Sequence, residues 1–355
     1  MKSLEIKKLM ITIIFNLAIF TITLAQKHNI MILATGGTIA GVGQAGSTDT
    51  RYTAGKLPID QLLNAVPDIH KLANVKGEQV AQIGSQAMND EVWIKLVSRI
   101  NELLGRKDVD GIVVTHGTDT QEETAYFLTL TVKSNKPVVL VGAMRSATAL
   151  SADGPKNLYD AVAIAADPKS NGMGVLQAMN EKIYAARDVT KTNTTGLEAF
   201  GSSNFGPVGF IFNGKPDYYY SSTRKHTLRS EFSNERFTKL PKVDIVYGYA
   251  NMTATAIDAF VSSGSKGIVM AGVGNGNLYP EAEEALKRAV AKGVVVVRSS
   301  RVFSGRTTID SEVDDKALGF IASEDLNPQK ARVLLQLALL KTTNRDKIQQ
   351  YFFEY

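Results

Sequence analysis

From residue 29 onward, short apolar runs alternate with longer amphipathic ones. Asn29–Ala34 reads as a buried strand, and Val75–Ile83 as a second with polar interruptions. Across Asp90–Leu104 the apolar positions fall at Val92, Ile94, Leu96, Val97, Ile100, Leu103 and Leu104. That is helical spacing, with Asp90 as the expected N-cap and Gly105 as the stop. Gly111–Thr115 reads as a strand, Glu122–Val132 as a helix and Pro137–Val141 as a strand again. Strands alternating with helices of this length predict a parallel sheet with helices on both faces.

A polar tract rich in Tyr and Arg, residues 217–241, interrupts the rhythm and reads as a linker. Beyond it Val243–Tyr247 and Gly267–Met270 are predicted strands. Pro280 opens a helix whose first turn carries Glu281, Glu283 and Glu284, at the positive end of the helix dipole. Gly293 closes that helix and Val294–Val297 is a wholly apolar strand. A last helix, Pro328–Leu340, puts Val333, Leu334, Leu337 and Leu340 on one face. At 355 residues the chain exceeds what one core comfortably fills. The predicted organisation is a larger N-terminal parallel-sheet domain (26–216), the linker (217–241) and a smaller C-terminal α/β domain (242–355).

The first 25 residues differ. Lys2, Lys7 and Lys8 precede an apolar run from Leu9 to Leu24, and Thr23-Leu24-Ala25 offers small residues for cleavage. The run is shorter than the ~20 residues of a membrane span, so the segment reads as a signal peptide, leaving no membrane association once cleaved. The formal charge of +5 falls to +3 without it, because the segment holds three lysines and one glutamate. No basic stripe interleaved with aromatics appears, so nucleic-acid partners are not expected. With no cysteine, the chain can use neither disulfides nor a thiol nucleophile. Its four histidines, at 28, 70, 116 and 226, are not spaced as a metal pair, so no metal is expected.

In open parallel sheets, ligands bind beyond the carboxyl ends of the strands. After the first strand comes Thr35-Gly36-Gly37-Thr38-Ile39-Ala40-Gly41, where two glycines leave the Thr38 hydroxyl unobstructed. A tight turn with a hydrogen-bonded threonine would give the same pattern. Gly41-Val42-Gly43-Gln44-Ala45-Gly46 matches G-x-G-x-x-G, but its first glycine lies well beyond the strand end and loop residues follow it, whereas a dinucleotide site needs strand, turn and helix in succession. After the second strand comes Gly84-Ser85-Gln86. After the third, His116-Gly117-Thr118-Asp119-Thr120 gathers hydroxyls and a carboxylate, although helix capping would use Asp and Thr too. His116 reads as a structural hydrogen-bonder. Lys191, from its own segment, reads as solvated, yet a lysine beside a hydroxyl and a carboxylate can hold or accept a proton. With no G-x-S-x-G elbow, a hydroxyl activated by Lys or Tyr is the hydrolytic arrangement the chain could build.

Ala34–Gly41 and Val114–Thr120 resemble the two signature segments of the bacterial L-asparaginase family. The resemblance continues through Lys76–Val80, Ile83–Gln86, Met88–Asp90, Ser151–Pro155, Arg187–Asn193, Gly272–Tyr279 and Asn327–Arg332. It implies a larger N-terminal domain of flavodoxin-like kind and a smaller C-terminal α/β domain, with sites shared between subunits of a homotetramer. It implies Thr38 as nucleophile and Tyr52 as the group that orients and helps activate it. Thr118, Lys191 and Asp119 would form a second relay. Ser85, Gln86 and Asp119 would bind the amino-acid head group, with Asn277 and Glu312 reaching the site from a neighbouring subunit. The implied reaction converts L-asparagine to L-aspartate and ammonia through an acyl-enzyme, without a cofactor, and a secondary activity on L-glutamine is compatible with it. The leader favours the exported, type II branch and a periplasmic location. A two-domain periplasmic binding protein shares the architecture but would bind amino acids without releasing ammonia, and gives no reason for Thr38, Thr118 and Lys191 to occur together.

Overall fold

A computed structural model describes residues 27–46, 51–233, 235–236 and 238–355. The expected leader, 1–25, lies outside the described residues. In chain order the first strands are β1 (Asn29–Gly36), the short pair β2 (Val42–Gly43) and β3 (Tyr52–Thr53), β4 (Asn74–Ile83), β5 (Gly111–Thr115) and β6 (Val138–Val141). Then come β7 (Val175–Met179), β8 (Lys182–Ala185), a second short pair β9 (Thr190–Lys191) and β10 (Phe200–Gly201), and β11 (Gly209–Phe212) and β12 (Lys215–Tyr218). Eight of them form one sheet in the spatial order β12-β11-β8-β7-β6-β5-β1-β4. The smaller sheet orders β13 (Val243–Tyr247), β14 (Gly267–Gly272), β15 (Val295–Ser300) and β16 (Ile321–Ala322), all parallel.

Helices α1 (Asp90–Leu104) and α2 (Gln121–Thr131) cover one face of the large sheet, and α3 (Gly154–Ala166) the other. Because both faces are covered, every residue of β5 and β6 is buried, which is why these strands are continuous apolar runs rather than alternating ones. On the small sheet, α4 (Thr255–Ser262) and α5 (Pro280–Ala291) take one face and α6 (Pro328–Leu339) the other. Helix α6 packs against α2 as well, so one apolar cluster runs from Val114 and Leu140 through Leu128 to Leu334, Val269 and Val297, and binds the two sheets into one body.

The large sheet is mostly parallel, as expected: every pairing from β4 to β7 is parallel, and β8, β11 and β12 are added to it through antiparallel pairings. The reason is local: Asn180-Glu181 and Asn213-Gly214 each form a two-residue turn with φ positive at both positions, the geometry that folds a strand straight back on itself. The N-cap of α1 is Asn89, not Asp90; its extended backbone lets Oδ1 accept the Val92 N–H at 3.1 Å. Helix α6 is not the last, since α7 (Arg345–Glu354) follows and buries Ile348, Tyr351 and Phe352. The tract 217–241 begins inside β12, then crosses to the small sheet with Phe232 and Leu240 buried on the way.

Candidate active site

Strands β1 and β5 lie side by side, with Ala34 opposite Thr115, so the loops that follow them emerge together. They are locked at the backbone. Gly37 has φ +82°, and a side chain there would meet the Gly117 nitrogen at 2.2 Å. Only glycine permits that approach, and it places Thr38 and Thr118 on facing loops. The Gly37 N–H donates to the Ile83 carbonyl at 2.9 Å, which draws in the end of β4. Ser85 then sits against Gly117. Its Oγ accepts the Asp119 N–H at 3.2 Å, and its carbonyl accepts the Thr120 hydroxyl at 2.8 Å. Three strand ends thus converge, as the open-sheet rule requires.

Thr38 begins a short 3₁₀ turn, Thr38–Ala40, and is buried. Its Oγ1 lies 2.7 Å from the Tyr52 hydroxyl. Tyr52 comes from the β2–β3 ribbon, where it stands opposite Gly43, and its ring lies across Gly41. The G-x-G-x-x-G stretch therefore forms part of a ribbon rather than the opening of a helix.

Lys191 reaches across from β9. Its Nζ donates to Thr118 Oγ1 at 2.9 Å and to Asp119 Oδ1 at 2.7 Å. These partners leave its side chain only 18% exposed, so it is not the solvated lysine its own segment suggests. Thr118 is buried, whereas Asp119 is exposed and free to meet a ligand on its other oxygen. Among the described residues the Thr118 N–H has no protein acceptor, a donor suited to an oxygen that gains negative charge. Gln86 is exposed, with its amide folded back beside Gly84.

His116 supports this loop without facing it. Its Nδ1 lies 2.6 Å from the Gly117 carbonyl, and its Nε2 lies 2.9 Å from Thr124 Oγ1, which itself accepts the Trp93 indole N–H at 2.8 Å. A neutral ring with its proton on Nδ1 satisfies every one of these groups. Burial favours that form, lowering the imidazole to about 4.

Asn277 and Glu312 stand apart from this group. They belong to the smaller sheet's loops, where the Asn277 amide donates to the Glu312 carboxylate. Among the described residues neither is hydrogen-bonded to Thr38, Thr118, Ser85 or Lys191. Sequence reasoning missed the post that holds them. Arg298, fully buried, grips Asp315 through two bonds (2.7 and 2.6 Å) and the carbonyls of Asn275 and Thr308 at 2.7 and 2.9 Å. The available signal was an arginine directly following four valines in a predicted core strand.

A family model described as "Asparaginase, N-terminal" matches residues 29–224, and one described as "Glutaminase/Asparaginase C-terminal domain" matches 242–352. The chain belongs to the asparaginase family. Among its asparaginase relatives, "L-asparaginase 2" of Escherichia coli is 57% identical over 327 residues, covering 92% of this chain and 93% of that protein. The Haemophilus influenzae protein named "Probable L-asparaginase periplasmic" is 55% identical over 352 residues, covering 99% of this chain and 100% of that protein. A solved structure described as a probable cytoplasmic L-asparaginase from Campylobacter jejuni superposes with a TM-score of 0.90 at 50% identity, covering 93% of this chain and 100% of that one. The chain is an asparaginase enzyme of mixed α/β fold acting on a small-molecule amide substrate. The periplasmic location expected above is corrected by the same comparison. A relative of the same fold at 50% identity is described as cytoplasmic and another is named periplasmic, so the asparaginase fold is compatible with either compartment.

Proposed function

We propose that the Thr38 hydroxyl attacks the side-chain amide carbon of L-asparagine. What carries this reading is the pairing of two threonines, each already bound to an activating partner, on loops locked together at Gly37 and Gly117. Tyr52 orients the Thr38 hydroxyl and takes part in moving its proton, which ends on the departing nitrogen. The C–N bond breaks, ammonia leaves, and an ester joins Thr38 Oγ1 to the substrate acyl group. The developing oxyanion meets the Thr118 N–H. Thr118, Lys191 and Asp119 form the second relay. Water activated there attacks the ester, restores the Thr38 hydroxyl and releases L-aspartate. No cofactor is required.

Head-group recognition follows from the same loops. The Ser85 Oγ already accepts the Asp119 N–H, so its own proton is free for the substrate carboxylate. The outer carboxylate edge of Asp119 neutralises the ammonium by a charge-assisted contact, with Gln86 alongside. Asn277 and Glu312, already paired with each other, close the site from a neighbouring subunit of a homotetramer. The chain divides for this purpose into residues 26–216, which supply the relays, and 242–355, which supply the partner's closing pair. L-Glutamine is a second substrate in this reading. The C-terminal family model is shared with glutaminases, and one methylene alters pocket affinity by only about 1–3 kcal/mol.

Ammonia release from asparagine and glutamine by the purified protein, beside Thr38→Ala and Thr118→Ala, tests this. Each substitution is expected to lower kcat at least ~10²-fold, the scale of a lost nucleophile or proton relay. Wild-type turnover in the Thr38 variant rejects the assigned role.

A further inference from the structure

Strand β9, which carries Lys191, lies outside the eight-stranded sheet and, among the described residues, pairs only with β10, through two register positions. Its approach is tied locally, by the Asp188 and Val189 N–H groups on the Ala185 carbonyl, and from the other sheet's helix as well. Lys330, in the first turn of α6, is 2% exposed, and its Nζ donates to the Arg187 carbonyl at 2.7 Å and to the Val189 carbonyl. Asn327, the N-cap of the same helix, accepts the Lys330 N–H on Oδ1 at 3.0 Å. From its Nδ2 it donates to Glu122 at 2.8 Å and to the Thr190 hydroxyl at 3.3 Å. Arg187, Val189 and Thr190, in the stretch that leads to the site lysine, are thus gripped by one turn of α6.

Packing alone does not call for a lysine here. The rest of the buried face of α6 is largely aliphatic, with Ala331, Val333, Leu334 and Leu337 all fully buried. A buried ammonium is costly, and an apolar side chain of similar length in its place is often neutral or stabilising. The ammonium does something a methionine cannot: it fixes the backbone carbonyls of Arg187 and Val189, on the approach to Lys191. We propose that Lys330, with Asn327, is a positioning residue for the reaction, holding the β9 backbone so that the Lys191 ammonium stays between Thr118 and Asp119. The smaller domain then reaches the relay within its own chain, separately from anything it gives to a neighbour. The proposal rests on Lys191 acting in catalysis, as read above.

A double-mutant cycle on the full-length oligomer tests it. Lys330→Met is expected to lower kcat for asparagine about 10-fold or more, since small displacements of a catalytic group have effects of this order, while KM stays within about twofold. In a Lys191→Met background the same substitution should change the residual kcat by less than about twofold, because the group it positions is gone. An unchanged kcat in Lys330→Met, or an equal loss in both backgrounds, overturns the proposal and leaves Lys330 as a structural tie. If circular dichroism shows Lys330→Met unfolded, Asn327→Ala, which releases Thr190 but keeps the lysine, is read by the same two criteria. Wild-type turnover by Lys191→Met alone would overturn the catalytic reading of Lys191, an outcome seen in a different variant from the one that tests positioning.

Discussion

Glu123 shows how a residue's place alters its chemistry. It sits in the first turn of α2, beside a 530 Å³ cleft lined also by Asp90, Glu91, Thr120 and Arg332. Burial raises its carboxyl to about 7, with Glu122 adding to the rise and Arg332 opposing it. Between about 4.5 and 7 the folded protein holds a proton that the unfolded chain has lost, so this contribution to stability is complete at low pH and disappears as pH rises through 7. His116 acts in the opposite sense, because its lowered value makes the folded state shed a proton between 6.5 and about 4. The wild-type profile therefore mixes the two, and a difference isolates one. The Tm of Glu123→Gln minus that of wild type should grow from pH 5 to pH 8; a constant difference would show Glu123 titrating as an ordinary carboxylate. For Thr38, Tyr52→Phe removes the 2.7 Å partner while keeping the ring over Gly41. The expected result is a kcat lowered by ~10²-fold or more with the fold intact, measured by ammonia release.

At the scale of elements, the helices and strands that periodicity picked out lie mostly within a residue or two of the observed ones, because each buries one face or both, whereas β7, β8, α3 and α4 went unread. Residues Asp90–Leu104 were found with correct ends, yet the cap was misplaced by one position, since Asn89 and Asp90 are both good caps and only backbone conformation separates them. Asn89→Ala should cost about 1 kcal/mol in urea unfolding without altering kcat. Leu334→Ala on α6, where the core cluster spans both sheets, should cost about 2–5 kcal/mol. Asn213-Gly214 is a hairpin dipeptide that went unread: the apolar Gly209–Phe212 of β11 precedes it, but the tract after it is polar and tyrosine-rich, so β12 at the sheet edge carries no apolar run to mark it. Helix α7 was overlooked for a related reason: Gln349, Gln350 and Glu354 thin out its apolar face.

For the whole molecule, the resemblance implied nine candidate site residues, and the single chain gathers seven of them: Thr38, Tyr52, Ser85, Gln86, Thr118, Asp119 and Lys191 lie on converging loops and their partners. Asn277 and Glu312 pair with each other elsewhere, which fits their proposed role in a neighbour's site. Mixing Thr38→Ala subunits with Glu312→Ala subunits under conditions of exchange should restore turnover that neither has alone, since some shared sites then carry both wild-type residues. Two inactive variants whose mixture stays inactive would place Glu312 in its own chain's site. By itself the sequence determined the alternation of strands and helices and the glycines and hydroxyls at the strand ends, because periodicity and turn chemistry are local properties. Only the tertiary structure decided that Lys191 is held by Thr118 and Asp119 rather than solvated, and that a lysine from α6 binds the carbonyls of Arg187 and Val189. Those facts depend on groups distant in the chain brought within 3 Å of each other, and no local pattern encodes that proximity.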